Sequence, residues 1–383
     1  MSLDELIAYR RHFHAHPELS LQEFETAAFL ERELRAGGFD ELRTGIGKTG
    51  ILATLHGGRP GPVTLLRADM DALPVTELSG VPYRSTREGV MHACGHDGHM
   101  AILLAAARHL QARRSEVPGT IVFCFQPGEE GPAGNRLMIE DGALERPHVD
   151  RCFALHLYSG LDVGRVGVRD GPFFASSDRF TIALNGKGGH GAMPQTAIDP
   201  IVGAAQLVTL LQTIASREVA PKDPVVVTVG SLHAGTTFNV IPDRAELAGT
   251  VRAYDAAVRE GLPERIERLA AGVAAATRMG FELTYDWGYP PTVNDPGAND
   301  VVRAVAREAV GAARLTDPHE LVLWSEDMSY MLEQRPGAYF LVGVRGDEKG
   351  LEPQHSARYE IDERALETGF KMMVGIALHA DAG

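Results

Sequence analysis

Two stretches of this sequence concentrate the residue types that bind metals and move protons. The first, Met91–His99, holds one cysteine and three histidines within nine residues. The second contains the adjacent glutamates Glu129 and Glu130, which follow an apolar, strand-like run, Thr120–Phe125. Cysteine, histidine and glutamate form the ligand set that suits zinc and its first-row neighbours. Because one of two neighbouring carboxylates can bind a metal while the other handles the proton of a metal-bound water, the pattern predicts a metallohydrolase.

Five side chains are candidate metal ligands: Cys94, His96, Glu130, His156 and His355. Gly95 relieves the crowding between the first two, so both could turn toward a common point. His156 ends an apolar strand, where a buried imidazole needs a partner, and His355 lies in a polar loop far downstream that could close the site. Each of these residues alone is more often structural. Their density next to the glutamate pair is what favours a metal centre.

Glu129 is the candidate general base and acid, since its neighbour would be held by the metal. Without that context, the glutamate pair would be read as an acidic turn. Asp69 and Asp71 point the same way after an apolar strand, and either could hydrogen-bond a histidine ligand and fix its tautomer. The alternative for this pair is a charged loop without a role. For His99, at the start of an apolar helix, packing is the favoured prediction.

The composition limits the class of protein. A chain of 383 residues is expected to form two domains, and 44% hydrophobic with 23% charged residues is ordinary globular composition. A net charge of −14 argues against a nucleic-acid partner. The longest aliphatic run, Ala101–Ala107, is too short to span a bilayer, and the acidic N-terminus is unlike a signal peptide. Three cysteines cannot make a disulfide framework, which fits a reducing cytoplasm. Together these features predict a cytoplasmic protein without membrane or nucleic-acid partners.

The predicted elements indicate a catalytic domain of the α/β class. Apolar strands alternate with helices between residues 51 and 157, which predicts a mainly parallel sheet flanked by helices. In such sheets ligands bind beyond the carboxyl ends of the strands, where the aspartate pair, the glutamate pair and His156 are expected. Two capping-box patterns, Ser2–Glu5 and Ser20–Glu23, predict the starts of the first two helices.

The middle of the chain changes character. Between residues 179 and 290 the predicted order of elements is βαββαβ, which is typical of a ferredoxin-like α+β domain. We therefore expect residues 1–178 and 291–383 to form the catalytic domain, with residues 179–290 inserted into it as a second domain.

Three polar residues of the predicted insert are candidates for binding substrate. His190 stands in a glycine-rich stretch, Gly186–Gly191, which lacks the lysine spacing of a phosphate-binding loop and does not open directly into a helix. The glycines instead let the histidine stand clear of the backbone. Asn239 and Arg252 are the others, and an arginine can clamp a carboxylate with two hydrogen bonds. On pattern alone, each of the three is more often a surface residue.

Seven motifs, spread almost from end to end, resemble the M20 metallopeptidases, specifically the amidohydrolase branch that includes hippurate hydrolases, aminoacylases and auxin-conjugate hydrolases. They are His14–Ser20, Leu66–Pro74, Met91–His99, Gln126–Gly131, His190–Pro194, Asn239–Asp243 and Ser325–Met328. In the wider M20 clan the positions matching Asp69 and Cys94 are usually a histidine ligand and a bridging aspartate. The cysteine is typical of the amidohydrolase branch, and it leaves the identity of the second metal open.

The resemblance implies a metal-dependent exopeptidase type of catalytic domain with an inserted domain that mediates dimerisation. It implies two divalent ions per subunit, drawn from zinc, manganese, cobalt and nickel, with Glu129 as the catalytic base. The implied ligands are Cys94, His96, Glu130, His156 and His355. His190 resembles the histidine that reaches the partner's active site and stabilises the oxyanion, so a monomer would be poorly active. Asn239 and Arg252 resemble positions that bind polar groups or the carboxylate of the substrate.

From these features we predict a cytoplasmic amidohydrolase that cleaves the amide of an N-acyl-L-amino acid by attack of a metal-activated water. We expect it to form a homodimer or a higher homo-oligomer through the inserted domain. Amide hydrolysis needs no organic cofactor. A dipeptidase, a carboxypeptidase or a deacetylase of an N-acetylated intermediate would use the same site. Two alternatives belong to other classes: a hydrolase with Cys94 as nucleophile and a histidine as base, and a non-catalytic metal-binding module. The intact Glu129 argues against the last of these.

Overall fold

The computed structural model of the protein describes residues 2–379 and consists of two compact units. The first unit contains the chain up to Gly171, the segment Val293–Glu320 and the chain from Asp327 onward. The second unit contains Pro172–Thr292 and Leu321–Glu326. Within residues 2–379, no helix combines the length and the apolar character needed to cross a membrane.

The helices and strands are numbered in chain order. Up to residue 167 they are α1 (Leu3–Ala15), α2 (Phe24–Gly37), β1 (Glu41–Ile46), β2 (Gly50–His56), β3 (Arg59–Asp69), α3 (His96–Ala112), β4 (Pro118–Gln126), α4 (Gly134–Glu140), β5 (Arg151–Asp162) and β6 (Val166–Gly167). Up to residue 294 they are β7 (Gly171–Phe174), β8 (Asp178–Asn185), β9 (Gly189–His190), α5 (Pro200–Thr213), β10 (Val225–Ala234), β11 (Val240–Ile241), β12 (Arg244–Ala253), α6 (Ala256–Glu260), α7 (Leu262–Thr277), β13 (Gly280–Asp286) and β14 (Thr292–Asn294). The last are α8 (Pro296–Ala309), β15 (Leu315–Thr316), α9 (Ser329–Leu332), β16 (Gly337–Arg345) and α10 (Ala365–Leu378).

An eight-stranded sheet forms the centre of the first unit, in the order β1-β2-β4-β3-β5-β16-β6-β15. Its four middle strands, β4, β3, β5 and β16, run parallel to one another, whereas β1 and β2 form an antiparallel edge. The prediction of a mainly parallel sheet is therefore confirmed. Strand β16 is buried at every position from Gly337 to Val344, as expected for a strand inside a covered parallel sheet.

Helix α3 packs against the sheet and against α1 and α10. Residues Met100–Ala107 of this helix are 0% exposed, which explains a sequence that is apolar on all sides. A Cβ at Gly98 would lie 2.4 Å from Leu157 Cδ1, so a larger residue in the first turn of α3 would displace the Leu157 side chain of β5. The packing therefore fixes the helix whose first residue is His96.

The register of the parallel strands brings the predicted site loops together. Asp69, the last residue of β3, is paired with Gln126, the last residue of β4. Arg67 is paired with Ala154, so His156 lies two residues further toward the same end of the sheet. The carboxyl ends of β3 and β4 thus lie level with His156 at the edge where ligands bind in sheets of this class, although β5 itself continues to Asp162, so His156 does not end its strand as expected.

The second unit is built on a four-stranded antiparallel sheet of order β10-β12-β8-β13. Helices α5 and α7 pack on one another, and their side chains Leu207 and Ile266 share a core with Phe180 of β8. The predicted βαββαβ order of a ferredoxin-like domain is confirmed. A separate two-stranded ladder joins β9 to β11 and pairs His190 with Val240.

The first predicted capping box is present and the second is not. Ser2 Oγ accepts the Glu5 amide at 3.3 Å, and the Glu5 carboxylate accepts the Ser2 amide at 2.7 Å. At residues 20–23 the prediction is wrong, because α2 begins only at Phe24, so that Glu23 precedes the helix and Ser20 is not its N-cap. Ser20 instead donates its hydroxyl to Asp71 Oδ2 at 2.6 Å. A long-range contact has replaced the local one.

Candidate metal centre

Three overlapping groups of side chains in the first unit contain the predicted ligands. The groups are Cys94 with His96 and His156, Cys94 with Glu130 and His355, and His96 with Glu129 and Glu130. Within each group the candidate ligand atoms lie within 4.8 Å of one another. The structure therefore brings all five predicted ligands together, with the predicted base beside them. Cys94 and His96 each belong to two of these groups, so the groups form one continuous cluster.

Gly95 turns the chain between Cys94 and His96. Its φ of +101° lies in the left-handed region that favours glycine, and it is the residue immediately before α3. A Cβ here would lie only 3.0 Å from the Tyr359 hydroxyl. The turn leaves Cys94 and His96 buried and facing the same space.

Backbone carbonyls orient the two buried histidines. His96 Nδ1 lies 2.9 Å from the carbonyl oxygen of Asp71, and His156 Nδ1 lies 2.9 Å from that of Leu157. A carbonyl can only accept, so Nδ1 carries a hydrogen in both rings and Nε2 is the atom left for a metal. His156 Nε2 lies 3.4 Å from Cys94 Sγ, and His96 Nε2 is buried without a hydrogen-bond partner. Metal-binding imidazoles are oriented in this way.

Glu130 and His355 join the group from two distant loops. Glu130 Oε1 is buried without a hydrogen-bond partner and lies 3.3 Å from His355 Nε2. The His355 amide donates to the Ala93 carbonyl at 2.7 Å, which ties the late loop to the segment before Cys94. This bond supports a φ of +68° at His355, uncommon for a residue other than glycine. The His355 side chain is 55% exposed, so the centre is open to solvent on this side.

Asp71 organises the glutamate pair. Its Oδ1 accepts the Glu129 amide and its Oδ2 accepts the Glu130 amide, both at 3.0 Å. Its own carbonyl accepts from His96, as described above. One buried aspartate therefore sets the backbone under both glutamates and the orientation of a candidate ligand.

Asp69 contacts a different histidine. Its Oδ1 accepts from His99 Nδ1 at 2.6 Å, and its Oδ2 accepts from Arg67 Nη1 at 2.7 Å. His99 Nε2 accepts the Leu157 amide at 3.0 Å, so both ring nitrogens of His99 are engaged. His99 also forms a group with Asp69 and His96 whose candidate ligand atoms lie within 4.8 Å of one another, but these bonds already engage both of its ring nitrogens. The packing role predicted for His99 is thus only part of its role, because its hydrogen bonds anchor Asp69.

A buried network beside the glutamate loop is absent from the sequence-based predictions. Arg67 donates to Asp327 Oδ1 at 2.9 Å and to Gln126 Oε1 at 2.8 Å. Gln126 Nε2 donates to both oxygens of Asp327, and the Asn135 amide donates to Asp327 Oδ2 at 3.0 Å. The charged side chains are fully buried and fully paired, as buried ions must be. The available signal was an arginine inside the apolar strand β3.

The electrostatics of the centre call for a cation. Burial alone would lower the pKa of His96, but the carboxylates of Asp69 and Asp71 outweigh burial and raise it to about 10. Burial raises the pKa of the Cys94 thiol well above its ordinary value, and the charge of Glu130 raises it further. An activated cysteine nucleophile needs the opposite, a lowered pKa. His96 Nε2 and Glu130 Oε1 are both buried without a hydrogen bond. Together with Cys94, they form a donor set that fits a divalent metal ion.

Two of the remaining candidates lie side by side in the second unit. His190 in β9 is opposite Val240, and the Gly191 amide donates to the Asn239 carbonyl at 2.8 Å. His190 Nδ1 accepts the Ala192 amide at 3.0 Å, so the neutral ring carries its hydrogen on Nε2. Both His190 and Asn239 are exposed. The ladder therefore presents a hydrogen-bond donor and an amide on one exposed hairpin.

Arg252 of β12 is the third candidate. Its Nη1 donates to the Val251 carbonyl at 3.0 Å and to the Thr250 hydroxyl. Burial lowers the pKa of its guanidinium. In the part of the chain that the structure describes, Arg252 forms no ion pair, so this half-buried cation lacks a carboxylate of its own.

Comparison with known proteins identifies the family. Residues 65–379 match Peptidase family M20/M25/M40. The chain is 45% identical to the N-acyl-L-amino acid amidohydrolase of Geobacillus stearothermophilus, over 80% of this chain and 84% of that protein. It is 41% identical to the N-acetyl-L-cysteine deacetylase of Bacillus subtilis, over 94% of this chain and 85% of that protein. A Bacillus subtilis crystal structure described as a dinuclear metal binding peptidase from the M20 family has a TM-score of 0.86 and 36% identity, covering 98% of this chain and 97% of that one.

The family match spans the whole candidate centre. The five predicted ligands and Glu129 all lie within residues 65–379. The predicted resemblance to the amidohydrolases among the M20 metallopeptidases is confirmed by the family match and by relatives that carry that name. The chain belongs to Peptidase family M20/M25/M40 and is a hydrolytic enzyme of the amidohydrolase kind.

Proposed function

We propose that this enzyme is a metal-dependent amidohydrolase that cleaves the amide bond of N-acyl-L-amino acids. The observation that carries the proposal is the pairing of Glu129 and Glu130, whose amides are held by the two oxygens of Asp71. Glu130 belongs to a candidate ligand group and Glu129 lies beside it. The names of the relatives, an N-acyl-L-amino acid amidohydrolase and an N-acetyl-L-cysteine deacetylase, support this substrate class.

We propose two divalent ions per subunit, and zinc, manganese, cobalt and nickel are the candidates. Their ligands would be Cys94, His96, Glu130, His156 and His355. When bound, such ions polarise a carbonyl group and lower the pKa of a coordinated water. The position of Cys94 in two ligand groups supports two ions rather than one.

Glu129 is the proposed carrier of the proton. Its carboxylate takes a proton from the attacking water, and the hydroxide so formed adds to the scissile carbonyl carbon. Glu129 then passes that proton to the amide nitrogen as the carbon–nitrogen bond breaks, which leaves a carboxylic acid and a free amine. Asp71 supports both transfers because it holds the backbone amide of Glu129.

His190 is the proposed donor to the carbonyl oxygen as negative charge develops there. On the family resemblance, the donor would be His190 of the partner subunit. Two observations support a donor role: His190 is exposed, and the hydrogen bond at Nδ1 leaves Nε2–H directed away from its own backbone. The active form would then be a homodimer.

The second unit has a surface suited to a second copy of the chain. Helix α5 carries no charged side chain and exposes Ile201, Val202 and Leu210 by 42%, 50% and 39%. Strand β10 is an edge strand, and its Leu232 is 41% exposed. An uncharged apolar face beside an unpaired strand edge is typical of a two-fold interface between copies. We propose that this face carries the homodimer.

The double variant Ile201→Glu and Leu210→Glu is expected to be monomeric in light scattering. Because the partner's His190 would be lost from each site, we expect kcat to fall about 10²–10³-fold, the usual cost of one oxyanion donor. Leu78→Glu, which places the same charge at another exposed leucine, is the control and should stay dimeric. A fully active monomer would contradict the proposed role of His190.

Arg252 and Asn239 are the proposed contacts for the polar end of the substrate. Arg252 is half-buried, donates to the neutral oxygens of Thr250 and Val251, and forms no ion pair within residues 2–379. A guanidinium in this state can take a substrate carboxylate with two charge-assisted hydrogen bonds. Asn239 would bind a neutral polar group. Recognition of a free α-carboxylate fits N-acyl amino acids.

Substrate class is tested by hydrolysis of hippurate, N-acetyl-L-methionine and N-acetyl-L-cysteine against their carboxamides and against dipeptides. We expect the free acids to be cleaved best. Arg252→Ala should raise KM for the free acids about 10–100-fold, since it removes hydrogen bonds to a charged group, and should leave the carboxamides unchanged. Arg217→Ala, on the exposed surface, is the matched control. Faster cleavage of dipeptides would assign the site to a dipeptidase or carboxypeptidase instead.

We also propose a cytoplasmic location. The three cysteines, Cys94, Cys124 and Cys152, are all free and buried. Reducing compartments keep thiols in this form, and Cys94 must stay reduced to serve as a ligand.

A further inference from the structure

Glu23 is a buried carboxylate that neither the metal centre nor helix capping explains. It occupies the residue before α2 and is 0% exposed, yet its side chain makes no hydrogen bond to that helix. The first turn is capped from elsewhere, because Glu18 Oε2 accepts the Thr26 amide at 2.8 Å. Glu18, five residues upstream, thus performs the task that the sequence pattern assigns to residues 20–23. The Glu23 carboxylate is left for another task.

Its hydrogen bonds point to the loop of the catalytic glutamates. Glu23 Oε1 accepts the Gly128 amide and the Leu21 amide, both at 2.9 Å. Glu23 Oε2 accepts the Thr49 hydroxyl at 2.6 Å. Gly128 is the residue immediately before Glu129. One carboxylate therefore connects the N-terminal segment, the start of β2 and the turn that carries the base.

Both backbone amides held by Oε1 belong to residues with unusual backbone angles. Gly128 has a φ of +63° and Leu21 a φ of +58°, and the latter is uncommon for a residue with a side chain. The two residues touch, since a Cβ at Gly128 would lie 2.9 Å from Leu21 Cδ2. Glycine adopts such an angle freely, whereas a leucine in this conformation persists only where surrounding contacts hold it. The Glu23 carboxylate is such a contact.

Glu23 and Asp71 act on consecutive peptide groups. Glu23 holds the amide of Gly128, while Asp71 holds the amides of Glu129 and Glu130. Three successive N–H groups are thus fixed by two buried carboxylates. Glu23 holds the Pro127–Gly128 peptide and Asp71 holds the next one, so the backbone that leads into the Glu129 side chain depends on both carboxylates.

The hydrogen bonds of Glu23 do not require its side chain to be negatively charged. Burial raises the pKa of Glu23 to about 7, the Thr49 hydrogen bond opposes that rise, and the nearby charge of Asp71 adds to it. The contacts need an acceptor for two amides on one side and a partner for the Thr49 hydroxyl on the other. A glutamine can supply both, with its oxygen toward the amides and its NH₂ toward the threonine oxygen.

We propose that Glu23 is a positioning residue that holds the Gly128 peptide so that the carboxylate of Glu129 meets its water and its leaving nitrogen. This inference rests on the proposed role of Glu129 as the base. Glu23, the residue before α2, would then take part in catalysis without binding a metal ion.

The test compares Glu23→Ala, Glu23→Gln and the control Glu25→Ala in metal-loaded enzyme, with kcat, KM, metal content and Tm measured for each. Glu25 lies in the same first turn, and its side chain is 72% exposed. We expect Glu23→Ala to lower kcat about 10–100-fold, as loss of a supporting hydrogen bond does, with KM and metal content nearly unchanged. Glu23→Gln and Glu25→Ala should keep the kcat of the wild type.

Three results would overturn the inference. One is an unchanged kcat in Glu23→Ala, another is loss of metal from that variant, and the third is a large loss of kcat in Glu23→Gln. If Glu23→Ala does not fold, Glu23→Gln and Thr49→Val test the inference instead. Thr49→Val removes only the hydrogen bond to Glu23 Oε2, so it should lower kcat modestly and leave KM unchanged. An inactive wild-type enzyme would instead contradict the proposed function, so the two failures are distinguishable.

Discussion

Glu129→Gln is expected to abolish turnover while leaving both metal ions bound. The amide keeps the shape of the side chain but cannot take a proton from water, so we expect kcat to fall about 10²–10⁴-fold, the range that general acid–base catalysis contributes. The backbone contacts to Asp71 and the Gly128 peptide do not involve the replaced atom and should persist. Steady-state kinetics on hippurate, with elemental analysis of the same sample, measure both quantities.

The matched control for that variant is Glu140→Gln, which makes the same change on the exposed end of α4. It should keep both kcat and metal content. Substantial activity in Glu129→Gln would show that another group carries the proton. If Glu129→Gln loses metal, Glu129 is a metal ligand and not the base. Its closeness to His96 and Glu130 would allow that role.

Cys94→Ala is expected to empty the metal centre. The Cys94 sulfur belongs to two of the ligand groups, so its removal should weaken the binding of both ions. We expect metal content to fall from about two ions per chain to less than one, and kcat to fall by more than the roughly 10–100-fold typical of an outer hydrogen-bond partner. Elemental analysis after gel filtration measures the first, and assays with hippurate measure the second.

Two further variants make that experiment specific. Cys152→Ala removes another buried thiol, on β5, and should keep its metals. Cys94→Asp replaces the thiolate by the carboxylate that bridges in the wider M20 clan, so it should bind two ions again, with a preference shifted toward harder metals. If Cys94→Ala binds two ions and is inactive, the cysteine has a role other than that of a ligand.

The sequence predicts which side chains meet in this cluster because candidate metal ligands are recognised by residue type and density. The strand register places the loop after β4, with its glutamates, and His156 of β5 near one edge of the sheet, while Cys94 and His96 reach that edge from the turn before α3. The same holds for the ferredoxin-like order of the second unit, since hydrophobic periodicity sets the order of elements.

What the sequence could not predict is the choice between local and distant partners for a polar side chain. Ser20–Glu23 has the pattern of a capping box, yet Ser20 bonds Asp71 and Glu23 bonds Gly128. Arg67 and Asp327 pair across 260 positions, a contact that no local pattern contains. Buried polar groups take whichever partners the tertiary fold brings within reach, and that information is global.

The dependence of hydrolysis on bound metal ions is tested by elemental analysis of metal content. The same samples are assayed with hippurate and N-acetyl-L-methionine before and after chelation. We expect about two metal ions per chain, loss of activity on chelation and recovery of activity with added divalent ions. Full activity in a metal-free sample that is also sensitive to alkylation would contradict this expectation, and would return Cys94 to consideration as a nucleophile.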